Sequence, residues 1–271
     1  MKASDYRAQI EAELADGAGS GVTPTGANEI IATLPAALDL LADENVSVAE
    51  RLKAFRQAQA ATFLGRNFDP YRADYLEALR KAAVGEAPEL RDAALESLAA
   101  VRDAVGQNLL IEGLADPAKA LVPAANALAF LSLDEHSAIA PLARLVLERD
   151  DTQAAKVAAL RTLAVDPGAQ DLLEGLMRDK DEFREVRKIS AISLQKLNPT
   201  AFQRVAQDIA VDDADFDDIR ATAWNGLAAT PLAERLLSRA AVRESAEALG
   251  ESLASGEFKG LLNRLTSLRE S

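Results

Sequence analysis

Val186-Arg187-Lys188-Ile189-Ser190-Ala191-Ile192-Ser193-Leu194 is the clearest copy of a pattern that recurs along this 271-residue chain. With Val186 as position 0, the pattern is apolar at 0, basic at 1, small at 4 and leucine at 8. Leu90-Arg91-Asp92-Ala93-Ala94 with Leu98 repeats it, and so does Ile219-Arg220-Ala221-Thr222-Ala223 with Leu227. Ala155-Lys156-Val157-Ala158-Ala159 with Leu163 has a weaker position 0. Ala120-Leu121-Val122-Pro123-Ala124 with Leu128 keeps the small residue and the leucine but loses the base. Val242-Arg243 with Ala246 is partial, with Gly250 where the leucine should stand. Positions 0, 4 and 8 lie on one side of an α-helix, so each copy predicts a helix with one apolar face. The starts at 90, 120, 155, 186 and 219 are 30, 35, 31 and 33 residues apart, a spacing that marks a helical repeat.

A second apolar helix precedes most copies. Residues 137–151 show it best, with Ile139, Leu142, Leu145, Val146 and Leu147 followed by a turn at Asp150-Asp151-Thr152. A helix pair of about 30 residues cannot close a core of its own, and stacking pair on pair supplies the missing burial. The expected fold is therefore all-α: an α-solenoid of stacked antiparallel helix pairs. Three features carry a resemblance: a proline inside the first helix (Pro35, Pro141), an Asp-Pro turn (Asp116-Pro117), and the apolar-Arg-x-x-small start of the second helix. In these the chain resembles HEAT-repeat proteins, with units similar to the HEAT-like repeats of bilin lyases. The resemblance covers roughly residues 26 to 250 and speaks to fold far more than to function.

Hydrophobic residues make up 49% of the chain and aromatics 4%, with alanine and leucine dominant, which suits close-packed helices better than strands. The absence of cysteine excludes disulfides, thiolate metal sites, a cysteine nucleophile and thioether attachment of a chromophore. No apolar run approaches the roughly 20 residues of a membrane span, and Met1-Lys2-Ala3-Ser4-Asp5-Tyr6 lacks a signal-peptide layout. The expectation is a cytoplasmic protein without a membrane partner. The net charge is −13, distributed as −8 over residues 1–116, −1 over 117–199 and −4 over 200–233. No basic block is present to track a phosphate backbone, so nucleic acid is not an expected partner. The acidity serves solubility and attracts a basic partner.

Along the chain, residues 1–25 read as an N-terminal helical arm (Tyr6, Ile10 and Leu14 on one side) and a Gly/Ser/Pro linker. The linker composition, Asp16 to Gly26, lacks both the Gly-Lys-Ser/Thr ending of a phosphate loop and the spacing of a dinucleotide fingerprint. Residues 26–230 read as the repeat array, and 231–271 as two or three helices capping the same solenoid. The first helix is expected at 28–43, kinked by Pro35, and the next holds Leu52, Phe55 and Phe63 to near Gly65. Phe68 and Tyr71 are expected to plug the join to the regular units. Later helices are expected at 71–84, 87–105, 107–115, 118–132, 137–149, 153–165, 169–179, 182–197, 200–210 and 217–229.

His136 is the single histidine, between two helices, with no second histidine to share a metal and no His-Glu pair of the HEAT-repeat hydroxylase type. Asp213, Asp215 and Asp217 copy the first ligand spacings of a calcium loop. Asp218 then stands where the glycine belongs and Trp224 where the bidentate glutamate belongs. The bland account of this acidic turn is charge at the N-terminus of the next helix. Trp224 reads as a core residue. No metal, cofactor or catalytic set is assigned, and the chain is not read as an enzyme. The basic column Arg91, Lys156, Arg187 and Arg220 reads as structural. The HEAT-like resemblance implies bonds from it to turn carboxylates, with Asp116, Asp150, Asp179 and Asp212 as candidates.

If the second helices line an inner curve, position 6 of each copy faces away from the core: Glu96, Asn126, Arg161, Ile192 and Asn225. Ten residues after each start, Ala100, Phe130, Val165, Lys196 and Ala229 extend this row. The row is the nominated contact surface for a protein or peptide partner. The expected function is a non-catalytic protein–protein interaction scaffold. A bilin lyase-like, chromophore-handling protein is the alternative, and an alkylpurine-DNA glycosylase of the HEAT-like type is opposed by the charge. The repeat phase makes a direct prediction: Leu194→Ala costs about 2–5 kcal/mol, whereas Arg161→Ala leaves the thermal melt nearly unchanged.

Overall fold

The computed structural model describes residues 24–134, 139–149, 152–228, 230–253 and 256–267. Among them the regular elements are fifteen α-helices and four short 3-10 segments, with no strand. The predicted arm (3–15), most of the linker, His136, Ser137, Asp150, Asp151 and Ala229 lie outside the described residues. No described helix is long and apolar enough to cross a membrane. The chain divides into two compact units, Met1–Asn108 and Leu109–Ser271.

In the first unit, α1 (Pro24–Ala42) packs on α2 (Val48–Ala61), and α3 (Arg72–Val84) packs on α4 (Pro88–Ala100). Side by side, α1 touches α3 and α2 touches α4. Helix α1 begins at Pro24, inside the stretch expected to be linker. Proline is well placed in the first helical turn, where its missing N–H has no intrahelical partner to lose. Ser47 caps α2 by accepting from the Glu50 N–H. Helix α2 stops at Ala61 and not near Gly65. The chain tightens into a 3-10 turn, Thr62–Asn67, and Gly65 turns it at φ +57, a conformation open to glycine. Phe68 plugs the join, 2% exposed, with its ring edge-on to Tyr75 at 5.5 Å; Tyr71 is only half-buried.

The boundary between the helices expected at 87–105 and 107–115 lies earlier than the sequence suggests. Helix α4 ends at Ala100, and α5 (Ala104–Ala115) begins after a sharp reversal. The Asp103 N–H reaches back to the Leu98 carbonyl (2.8 Å) and the Arg102 N–H to Ala99 (3.0 Å), with Arg102 left-handed at φ +57. This is the bond pattern of a glycine-type helix stop, made here with arginine. Gly106 permits the close return of the chain: a Cβ there would lie 2.5 Å from the Leu98 Cβ.

The second unit contains α6 (Ala124–Leu131), α7 (Ala140–Arg149), α8 (Gln153–Leu163), α9 (Gln170–Arg178), α10 (Arg184–Leu197), α11 (Pro199–Ala210), α12 (Asp217–Leu227), α13 (Pro231–Leu237), α14 (Ala240–Ser252) and α15 (Gly256–Ser267). Helix α7 pairs with α8, α9 with α10, and α11 with α12. Second helices also touch one another in series, α6 to α8, α10, α12 and α14, and first helices α9, α11 and α13 do the same. The helix expected at 118–132 is shortened to α6. Pro123 is extended (ψ 146), so the base-less copy at 120 has its first four positions outside the helix. Under this irregular stretch lies a mostly apolar cavity of about 610 Å³, lined by Leu109, Leu114, Val122 and Ala127.

The repeat phase holds in the second helices. Position 0 is buried at Leu90, Ala155, Val186 and Ile219, position 4 at Ala94, Ala159, Ser190 and Ala223, and position 8 at Leu98, Leu163, Leu194 and Leu227. Trp224 is wholly buried. At Gly226 the two helices of a pair meet most closely: an added Cβ would lie 2.2 Å from the Phe202 ring. Phe202 is itself buried and cannot swing aside. Gly226→Ala is therefore expected to destabilise by about 1–3 kcal/mol despite the better helix propensity of alanine, as read in a denaturant melt.

Candidate functional site

The basic column turns inward. Arg187 is 1% exposed: its Nε donates to the Met177 carbonyl (3.1 Å), and Nη1 and Nη2 donate to the two oxygens of Asp215 (2.7 and 2.6 Å). Asp215 also accepts the Phe216 N–H (2.7 Å). The planar fork of arginine suits this paired acceptance. Lys156 Nζ donates to Glu182 (2.6 Å), Arg220 to Asp213 and Ser245 (both 2.6 Å), and Arg91 to the Gly85 carbonyl (3.3 Å). The carboxylate acceptors shown are Asp215, Glu182 and Asp213, and not the expected Asp116, Asp179 and Asp212; Asp150 lies outside the described residues. Asp212 instead takes Lys180 at 2.5 Å, and the lysine beside it holds its carboxyl below the usual range. Asp179 and Asp116 accept N–H groups of their own turns, from Asp181 and Ala118. The selection follows reach. Asp215 and Glu182 lie one or two residues before the next second helix, at the level of the preceding helix's first turn.

A member of the column escaped the sequence pattern. Arg51, 5% exposed, donates from Nε to the Leu41 carbonyl ten residues back, as Arg187 does to Met177. Its position 0 is Glu50, which hid it. A second periodicity also went unread: Asp103, Asp134, Asp166, Asn198 and Thr230 are 31, 32, 32 and 32 residues apart. Asp103 accepts the N–H groups of Val105 and Gly106, Asp166 that of Gly168, and Asn198 that of Ala201. Asp166 and Asn198 thus lead into α9 and α11, each the first helix of a pair, and Asp103 leads into α5. The pairs Asp166-Pro167, Asn198-Pro199 and Thr230-Pro231 were the available signal. Arg80 grips Asp103 (2.5 Å) and Arg144 grips Asp166 (2.7 Å), and these guanidinium groups hold both carboxyls below the usual range.

The three acids with calcium-like spacing are each taken up by side chains of the protein: Asp215 faces Arg187, Asp213 faces Arg220 and Ser245, and Asp217 lies 3.8 Å from Arg220 and accepts from Ser252 (2.7 Å). Among the described residues no cluster of three or more potential ligands is suited to a metal ion.

The nominated row faces solvent. Arg161 on α8, Ile192 on α10 and Asn225 on α12 are exposed, on three helices that touch in series. Ile192 is 49% exposed, and Gln195 Nε2 donates to the Gly226 carbonyl (3.3 Å), fixing α10 against α12 beside it. Val165, at the end of α8, is 81% exposed and Lys196 is exposed. Asn126 is half-buried and partnered, and Glu96 is exposed in the first unit. At the opposite end of these helices, Phe183 and Phe216 stand exposed under cations, with Lys156 Nζ 5.7 Å from one ring and Arg184 Cζ 4.8 Å from the other.

Comparison with protein-family models, curated proteins and solved structures returns no match for this chain.

The Arg187–Asp215 pair supplies a test of the column's role. Arg187→Met strands a buried carboxylate and is expected to cost about 3–5 kcal/mol. The double variant Arg187→Met/Asp215→Leu recovers most of that loss, since removing both charges spares their desolvation. Urea melts of the four proteins in the cycle measure it.

Proposed function

We propose that the chain is a HEAT-like α-solenoid acting as a non-catalytic scaffold that binds a protein or peptide along its second helices. The repeat phase and the serial contact of second helix with second helix support the solenoid reading. The observation that carries the function is the face made by α8, α10 and α12. Their cores lie on one side, and Arg161, Ile192 and Asn225 stand side by side on the other, with a half-exposed isoleucine at the centre. An apolar residue bordered by hydrogen-bonding groups is the composition of a contact patch. The net charge of −13 draws a basic partner by long-range attraction.

The buried groups favour this reading over chemistry. Arg187, Lys156 and Arg220 are each paired with an internal carboxylate, as framework residues are, and the row places an amide, a guanidinium and a hydrocarbon on rigid helices.

Partner capture from native lysate, followed by affinity measurement with the identified partner, tests the proposal. Ile192→Glu is expected to weaken binding by about tenfold or more, as loss of a central apolar contact does, whereas Arg161→Glu replaces a like charge with an opposite one and is expected to tighten a basic partner. Both residues are exposed, so thermal melts stay at the wild-type value. Wild-type affinity in Ile192→Glu removes this face from the site.

A further inference from the structure

The first unit, Met1–Asn108, contains a hollow of about 550 Å³ whose walls differ from the rest of the chain. One wall is aromatic. Phe68 and Tyr75 lie edge to face beneath it, and Phe63 stands at the rim, 85% exposed. Phe63 is turned outward by the 3-10 segment that ends α2, where Gly65 takes φ +57. The other wall is cationic: Arg72, Arg80 and Arg102 line the hollow, against Asp103 as the lining acid. A net positive hollow is a marked local reversal in a chain of net charge −13.

Each group is placed to meet a ligand. The Arg72 guanidinium lies 5.6 Å from the Phe68 ring centroid, and its bond to Asp69 is exposed at both ends, a weak hold that an incoming anion replaces. Arg80 is clamped by Asp103, so its end of the wall is rigid. Arg102 lines the hollow from the helix stop that sets its φ of +57. Burial raises the pKa of the Tyr75 hydroxyl, which is bonded to Ser97 at the floor of the hollow. A volume of this size is within the range of small-molecule sites, which combine an apolar body with a few placed polar groups.

We propose that this hollow binds a small aromatic anion, its flat apolar body against the exposed Phe63 and Val101 and its carboxylate or sulfonate on Arg72 and Arg102. The assignment concerns the first unit alone and stands apart from the helix row of the second.

The test uses the full chain and two fluorescent probes of the same shape: 8-anilinonaphthalene-1-sulfonate and its uncharged counterpart N-phenyl-1-naphthylamine. Saturable binding of the sulfonate is expected, weakened about tenfold by Arg72→Gln through loss of a charge-assisted contact. Phe63→Ser is expected to weaken both probes, and Arg72→Gln only the charged one. Phe63 and Arg72 are exposed, so these variants melt as wild type. Arg102→Gly, relieved of its backbone strain, melts at or above the wild-type temperature while binding the sulfonate less tightly. Wild-type sulfonate binding in Arg72→Gln, in Phe63→Ser or in Arg102→Gly overturns the proposal, as does an equal loss of both probes in Arg72→Gln.

Discussion

Short helices in water need a neighbour's apolar face. Helix α6 has eight residues and α13 seven, well below the length at which a helix stands alone. What holds them is the stripe of positions 0, 4 and 8, which every regular second helix buries almost completely. The small residue at position 4 lets backbones approach, and Gly226 against Phe202 shows how close that approach becomes. Once the stripe is committed inward, the remaining positions have fixed roles. Position 1 is carried to the rim of the core, where its long cation bends over the previous helix end, and position 6 is left in solvent.

The column of cations therefore reads as a consequence of packing. Arg187 and Arg51 satisfy the carbonyls at the end of the helix before them, groups that no residue within that helix can reach. Arg187 adds a carboxylate from the following pair, so a single side chain ties three successive segments. Its burial is tolerable because each of its three nitrogens donates a hydrogen bond, two of them to a carboxylate.

The phase of the second helices was legible because hydrophobic periodicity and leucine spacing are direct imprints of burial. The acceptors were not, because a carboxylate's reach depends on loop geometry: Asp215 and Asp212 are three residues apart and serve different cations. The first-helix caps were hidden by chemical degeneracy, since aspartate and asparagine do the same work at Asp166 and Asn198, while Thr230 in the same register turns its hydroxyl back to the Leu227 carbonyl. Pro123 sets the start of α6, because its extended backbone stands immediately before the first helical residue. The exposure of Arg161, Ile192 and Asn225 followed from the phase alone. The arginine-and-phenylalanine hollow could not be foreseen, because Phe63, Arg72 and Arg102 share no period and meet only through the turns at Gly65 and Arg102.

The stretch between α5 and α6 lacks what the later joins have. Leu121 stands where an inward cation would be, and the segment crosses an apolar cavity between Pro117 and Pro123. Its tether comes from outside, with Arg149 donating to the Leu114 and Ala115 carbonyls. A surface bond of this kind opens at far less cost than a buried fork. The chain thus contains a line of weakness within the second unit, at which amide protons exchange through local opening while the helices tied by Arg187 remain closed.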